Sequence, residues 1–296
     1  MTKIFVSLLL LLLPVSATAQ QPAKKLKVFI SVDMEGVTGV VSADQTGAAG
    51  GDYNRTRRLM TEEANAAIEG ALASGATEIV VNDSHGSMRN LEIDMLRAPA
   101  ELISNNVKPM GMVQGLDSSF DAAVFIGYHA KAGSPVGVLA HTGSGTIADL
   151  RINGRSVGEA GMNIFAAGAL GVPVVMVSGD QGAISEARAL VPNIEGVQVK
   201  EAIWTTAAQS LHPTEARRRI SSGVENALRR LPEFKPVRPA TPARFEVSFA
   251  QPVLADLAEQ IPTIGRVDAR TVSYSAADYL KGYRLLRILY RYLRAD

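Results

Sequence analysis

The chain contains no cysteine, so disulfide bridges, a lipid-modified cysteine and thiolate ligands for a metal are excluded. An excess of charge of one sign is also missing, since 30 lysine and arginine residues oppose 29 aspartate and glutamate residues. This balance argues against nucleic acid and anionic membrane surfaces as partners. Beyond the N-terminus no apolar run reaches the length of a membrane span. The rest of the chain is long enough to bury a large core without crosslinks.

The first 19 residues have the pattern of a secretory signal peptide. Lys3 supplies the positive charge, residues 4–13 form an apolar run too short to span a bilayer comfortably, and residues 17–19 (ATA) match a cleavage site. We therefore expect an exported protein, periplasmic or secreted, with a mature chain that starts near Gln20 and has no membrane partner. An N-terminal membrane anchor is the alternative.

Short apolar runs alternate with helical patterns over residues 20–200. The runs are typical of buried parallel strands and cover 27–32, 78–82, 122–127 and 172–179. Helices are predicted over 56–75, closed by Gly75, and over 158–171. This alternation predicts an α/β fold with a mostly parallel sheet and helices on both faces over residues 20–200.

The pattern changes in residues 201–296, for which a smaller α+β unit is predicted. It would contain helices over 214–231 and 276–293, strands over 244–250 and 270–276, and a proline-rich connector over 233–242. These strands alternate apolar and polar residues, so one face is exposed or covered by a partner subunit. The unit is expected to be part of the same fold or of an oligomer interface.

Acidic and histidine side chains follow three of the predicted strands. Asp33 and Glu35 come directly after the first strand, His85 follows the second, and His129 follows the third. Ligands of open α/β sheets bind beyond the carboxyl ends of the strands, so these side chains are expected at one edge. Asp33 and Glu35 would point the same way from a strand and would repel each other unless a positive group lay between them.

Three further residues could contribute to a site at this edge, and two of them also have an ordinary structural explanation. His141 lies in a loop rich in glycine, serine and threonine, HTGSGT (141–146). His212 lies at a predicted helix entry and is interpreted as structural. Glu159 lies in the first turn of a predicted helix, where a carboxylate interacts favourably with the helix dipole without any further role.

A set of carboxylates and imidazoles without sulfur suits zinc, with manganese or iron as alternatives. About five donors are too many for one open catalytic zinc and a sensible number for two ions. Two other functions stay open on the residues alone. A dinuclear metal phosphoesterase would need basic residues near the site, for which Arg151 and Arg155 are the candidates. A non-enzymatic exported ligand-binding protein could use the same fold.

The order of the motifs resembles that of the zinc-dependent D-aminopeptidase family (peptidase family M55). The signature S-x-D-x-E-G stands here as SVDMEG at 31–36. The similarity continues through MTEEAN (60–65), VNDSH (81–85), GYHA (127–130), VGE (157–159), Asn163 and VPVVMVSGD (172–180). It covers nearly all of the mature chain and is densest from about residue 27 to 200.

The resemblance implies a dinuclear zinc site with two ions per subunit. The family's ligand positions fall on Asp33, Glu35, His85, His129 and Glu159. By analogy Asp33 would bridge the ions, and His141 would be a nucleophile or a general acid/base. The implied reaction is hydrolysis of the N-terminal peptide bond of short peptides that contain D-amino acids such as D-alanine. The family also implies a ring-like homo-oligomer, for which a decamer is one candidate size.

Two acids at the same predicted edge are weaker candidates. Asp83, together with Asn82, could orient His85. Asp180 ends the fourth predicted strand, where it could bind the free amine of a substrate or cap the following helix.

Overall fold

The computed structural model describes residues 1–3 and 25–294. The apolar segment and the cleavage site of the predicted signal peptide lie outside the described residues. Within the described ranges, no helix is both long enough and apolar enough to cross a membrane.

The strands and helices alternate as the sequence pattern predicts. In chain order the described strands are β1 (Leu26–Val32), β2 (Ala76–Asp83), β3 (Glu101–Ile103), β4 (Ala122–Tyr128), β5 (Ile147–Ile152), β6 (Arg155–Ser156), β7 (Val174–Asp180), β8 (Glu195–Trp204), β9 (Ala207–Ser210), β10 (Ala243–Phe249), β11 (Gly265–Arg266) and β12 (Thr271–Ala276). The α-helices are α1 (Ala43–Thr46), α2 (Tyr53–Ala73), α3 (Glu159–Ala169), α4 (Gln181–Arg188), α5 (Pro213–Arg229), α6 (Pro252–Glu259) and α7 (Tyr279–Arg291).

The larger sheet has the strand order β3-β2-β1-β4-β7-β8-β9, and all neighbours are parallel except β8 and β9. β4 and β7 are buried along their whole length, as expected for strands covered on both faces. The connection from β1 to β2 runs one way along the sheet, and those from β4 to β7 and from β7 to β8 run the other way. Right-handed crossovers therefore place α2 on one face and α3 with α4 on the other.

The second sheet is antiparallel, with the order β11-β12-β10-β5-β6. It draws β5 and β6 from the middle of the chain, and the expected boundary after residue 200 falls inside β8. α5 lies against α2 and the larger sheet, so residues 201–229 belong to that layer. α7 covers the second sheet and also packs against α3.

The chain reverses its direction along the larger sheet between β1 and β4, which is where open α/β sheets form a ligand crevice. Two glycines let the ends of these strands meet. The amide of Gly36 donates to the carbonyl oxygen of Gly127 at 2.7 Å, and a Cβ on Gly36 would lie 1.9 Å from the carbonyl oxygen of Tyr128. Gly127 has a φ of +70°, and a Cβ there would lie 2.3 Å from the carbonyl oxygen of Asp33.

Candidate metal centre

Six predicted side chains come together at the carboxyl edge of the larger sheet. They are Asp33 and Glu35 after β1, His85 after β2, His129 after β4, His141 in the loop before β5, and Glu159 at the start of α3. A cavity of about 160 Å³ opens on the cluster and is lined by the three carboxylates together with His85 and His141. All except His141 are buried.

The carboxylates and imidazoles alternate around the centre. His85 Nδ1 lies 2.8 Å from Glu35 Oε2 and 3.4 Å from Asp33 Oδ1. His129 Nε2 lies 3.5 Å from Asp33 Oδ2 and 3.4 Å from Glu159 Oε2. The other oxygen of Glu159 is 3.6 Å from His141 Nε2, and the ring of His141 stacks on that of His129 with 4.2 Å between centroids.

The opposite nitrogen of each ring is held by a backbone carbonyl oxygen. The distances are 2.8 Å from His85 Nε2 to Thr46 O, 2.9 Å from His129 Nδ1 to Ala130 O and 2.8 Å from His141 Nδ1 to Leu139 O. A carbonyl oxygen only accepts, so these nitrogens carry the hydrogen and the neutral tautomers are determined. The nitrogens that face the carboxylates are then left with lone pairs. Lone pairs that face carboxylate oxygens require a proton or a metal cation between them.

Two atoms at the centre of the cluster also indicate that a proton or a metal cation belongs there. Asp33 Oδ2 and His129 Nε2 are buried and have no hydrogen-bond partner among the described residues. Such atoms are rare in folded proteins unless they are reserved for a ligand or an ion. His129 forms one possible metal-binding group with Asp33 and Glu35 and another with His141 and Glu159. Nitrogen and oxygen donors without sulfur fit zinc.

The charges of the cluster perturb one another strongly. Burial, together with the charge of Glu35, raises the pKa of Asp33 to about 8. Burial also opposes ionisation of Glu159, but the charge of His129 outweighs it and lowers the pKa of Glu159 to about 2. Burial disfavours charge on His85 and His129, yet Glu35 and Glu159 raise the pKa values of these imidazoles well above 6.5. The cluster thus favours positive charge between its members.

Asp83 acts on the loop that carries His85 and does not contact the imidazole. Its two oxygens accept hydrogen bonds from the backbone amides of Asn90 and Leu91 and from the side-chain amide of Asn90. The same Asn90 side chain donates to the carbonyl oxygen of His85 at 2.7 Å. Asp83 could therefore orient His85 indirectly, because it holds Asn90 and Asn90 holds the backbone of His85.

The structure shows the capping role among the two interpretations of Asp180. One oxygen accepts from the amide of Ala183 in the first turn of α4, and the other accepts from the amide of Val138. Asp180 is fully buried and does not line the cavity, so its carboxylate is not offered to a substrate amine. His212 caps α5 by accepting from the amide of Thr214, in agreement with its structural interpretation.

The sequence analysis missed a lysine that holds the loop carrying Glu35. Lys200 lies in β8, is 1% exposed, and donates from Nζ to the carbonyl oxygens of Glu35, Val37 and Val40. Glu63 of α2 accepts from the amide of Thr38 in the same loop. The sequence analysis predicted no strand over β8, so the alternation Val197, Gln198, Val199 ahead of Lys200 was the signal that could have revealed it.

The basic residues near the cavity are also not the expected ones. Arg151 pairs with Asp149, and Arg155 donates to the carbonyl oxygen of Ala189; neither lines the cavity. Arg287 and Arg291 of α7 line it instead. Arg287 recurs with Tyr283 at helical spacing, which is a sequence signal for a charged residue on the buried face of α7.

The chain is similar to known proteins in both sequence and structure. A family model described as D-aminopeptidase matches residues 26–288. A D-aminopeptidase from Bacillus subtilis (strain 168) is 39% identical over 265 residues, which are 89% of this chain and 96% of that protein. The solved structure described as the Zn-dependent D-aminopeptidase DppA from Bacillus subtilis, a self-compartmentalizing protease, superposes with a TM-score of 0.87 at 38% identity, over 89% of this chain and 96% of that one. The chain therefore belongs to the D-aminopeptidase family of metallopeptidases.

Proposed function

We propose that this protein is an aminopeptidase that removes an N-terminal D-amino acid, D-alanine in particular, from short peptides with the help of two zinc ions. The observation that carries the proposal is the convergence of three imidazole lone pairs on three buried carboxylates. At its centre, Asp33 Oδ2 and His129 Nε2 have no hydrogen-bond partner within the described part of the chain. The relatives named above are D-aminopeptidases, one of them described as zinc-dependent, and support the substrate class and the metal.

The residues that would hold the ions are Asp33, Glu35, His85, His129 and Glu159. Asp33 is central, because one of its oxygens faces His85 and the other faces His129. A bound zinc pair polarises a carbonyl group and lowers the pKa of water toward neutrality. The amide of Met34 donates to Asp33 Oδ1, and the amide of Gly143 donates to Glu159 Oε1 at 2.6 Å, so both carboxylates are held in place.

His141 is the residue best placed to move a proton. Its side chain is 26% exposed and lines the cavity, whereas that of His129 is 1% exposed. The hydrogen on Nδ1 is held by Leu139 O, so Nε2 is the atom that accepts a proton and returns it to the leaving amine. Glu159 Oε1 lies 3.6 Å from that nitrogen.

The test combines metal content with hydrolysis of D-Ala and L-Ala p-nitroanilides before and after chelation. We expect about two zinc ions per chain, release from the D-substrate, and loss of activity when zinc is removed. Zinc with L-selective release would contradict the stereochemical part of the proposal. A zinc-loaded protein that hydrolyses a phosphate monoester and no alanyl substrate would favour the phosphoesterase, and a protein that binds no transition metal would favour a ligand-binding role.

We further propose that the mature protein is exported and assembles into a ring-like homo-oligomer. The relative described as self-compartmentalizing supports assembly. Ile203 and Trp204, at the turn between β8 and β9, expose 62% and 76% of their surface and suit a subunit contact. Mass measurement of the native protein and fractionation of the producing cells test these points. A monomeric mass contradicts the first, and retention of the uncleaved chain inside the cell contradicts the second.

A further inference from the structure

The wall of the metal-centre cavity contains a buried cation that the hydrolysis mechanism does not use. Arg287 of α7 is 2% exposed and lines the same cavity as Asp33, Glu159 and His141. Its Nη2 donates to Asn106 Oδ1 at 2.9 Å, while Nε and Nη1 have no hydrogen-bond partner in the described part of the chain. No carboxylate among residues 25–294 forms an ion pair with it. A buried, unpaired guanidinium is costly unless an anion binds to it.

The fold makes room for this side chain and keeps it in position. Gly111 has a φ of +49°, and a Cβ there would lie 2.6 Å from Arg287 Nη1. Tyr283, one helical turn before Arg287, donates its hydroxyl hydrogen to Asn163 Oδ1 at 2.6 Å. Asn163 lies one turn after Glu159 on α3. The Tyr283–Asn163 hydrogen bond therefore aligns α7 with α3 so that Arg287 and Glu159 reach the same cavity.

A second unpaired donor lies beside Arg287. Tyr290 lines the cavity, and its buried hydroxyl has no hydrogen-bond partner among the described residues. Its ring packs over Gly143, where a Cβ would come within 2.6 Å of the ring. Burial raises the pKa of Tyr290 and the neighbouring guanidinium opposes the rise, so the phenol stays protonated and available as a donor near neutral pH.

We propose that Arg287, assisted by Tyr290, binds the C-terminal carboxylate of the peptide substrate and makes the site selective for very short peptides with a free C-terminus. The inference rests on the proposed function, because it assumes that the scissile bond lies at the metal centre. A guanidinium donates charge-assisted hydrogen bonds to a carboxylate, and two of the nitrogens of Arg287 have no partner in the described part of the chain. The metal centre and this donor pair lie in the walls of one cavity. A dipeptide could therefore place its scissile bond at the metal centre and its C-terminal carboxylate at Arg287 and Tyr290.

The experiment compares D-Ala-D-Ala with its C-terminal amide on the zinc-loaded protein. We expect kcat/KM to be about 10- to 100-fold higher for the acid, in line with the strength of a hydrogen bond to a charged group. Arg287→Met should lower kcat/KM for the acid by that factor and so remove most of the preference for the acid over the amide, and Arg287→Lys should keep part of the preference. Tyr290→Phe retains the ring and should reduce the preference by about threefold to tenfold.

Arg284→Met is the matched control, because Arg284 lies on the same helix but is exposed and outside the cavity. It should keep the full preference for the acid. Equal turnover of acid and amide by the unmodified protein, or an unchanged preference in Arg287→Met, would overturn the role of Arg287. Turnover of p-nitrophenyl phosphate that depends on Arg287 would overturn it in favour of a phosphate ligand. Failure to hydrolyse any D-alanyl peptide would instead contradict the proposed function, so the two failures are distinguishable.

Discussion

Replacing Lys200 with methionine tests whether β8 of the larger sheet holds the loop that carries Glu35. The ammonium group of Lys200 donates to three backbone carbonyl oxygens of this loop, those of Glu35, Val37 and Val40. Methionine fills a similar volume without a donor. A buried acceptor left unsatisfied costs about 1–3 kcal/mol. Relief from burying an ammonium group offsets part of this, so we expect a net loss of roughly 3–5 kcal/mol in the free energy of unfolding.

Urea unfolding of the chelator-treated protein measures this loss without any contribution from zinc binding. Lys281→Met, at an exposed position of α7, serves as the control and should change stability by less than about 0.5 kcal/mol. Zinc titration of the folded variant should also show weaker binding, because Glu35 loses its fixed backbone. A Lys200→Met protein as stable as the control, with unchanged zinc affinity, would show that the loop holds its conformation without the lysine.

Three further substitutions separate metal binding, proton transfer and stability. His141→Ala should retain zinc and lose about 10²–10⁴-fold in kcat, and a rate near that of the unmodified protein would remove His141 from the chemistry. Asp33→Ala should lose zinc, which elemental analysis detects; full occupancy would exclude Asp33 as the bridging residue. Burial raises the pKa of Glu63 from 4.5 to about 7, so the folded state binds more protons than the unfolded state between these values and its stability falls as pH rises. Glu63→Gln lacks this dependence, so it should match the original protein near pH 4 and be more stable by up to about 3 kcal/mol at pH 8 in urea unfolding; an equal difference at both pH values would contradict the assignment.

Much of the fold was predictable because strand–helix alternation is a local property of the chain. The four predicted core strands all exist, with ends that differ by two residues or less. The division after residue 200 rested on a change of pattern, and the pattern does not reveal that β5 and β6 pair with strands near the C-terminus. Pairing of distant strands depends on tertiary packing, to which local periodicity is not sensitive.

The cluster around Asp33 was predictable for a specific physical reason. Parallel strands carry the residues that follow them to one edge, so the order strand, then Asp or His, predicts that Asp33, His85 and His129 meet. Residue type then indicates the chemistry, since carboxylates and imidazoles without sulfur favour zinc. The residues alone did not decide the role of Glu159, because a favourable interaction with the helix dipole was a sufficient explanation for it. Only the family resemblance indicated that Glu159 is a metal ligand.

Three-dimensional packing, in contrast, assigns the roles of residues that reach the site from distant parts of the chain. Lys200 lies in β8, which is three strands away from β1 in the larger sheet. Arg287 lies in the last helix, more than a hundred residues after Glu159. Asp180 ends a strand at the same edge, yet one of its oxygens caps α4 and the other accepts from the amide of Val138. The amino-acid sequence determines which side chains could bind a metal and predicts that they lie at the carboxyl edge of the larger sheet. Which of them keep a free lone pair or an unpaired charge depends on the partners that packing supplies, and those partners are set only when the two sheets and their helices come together.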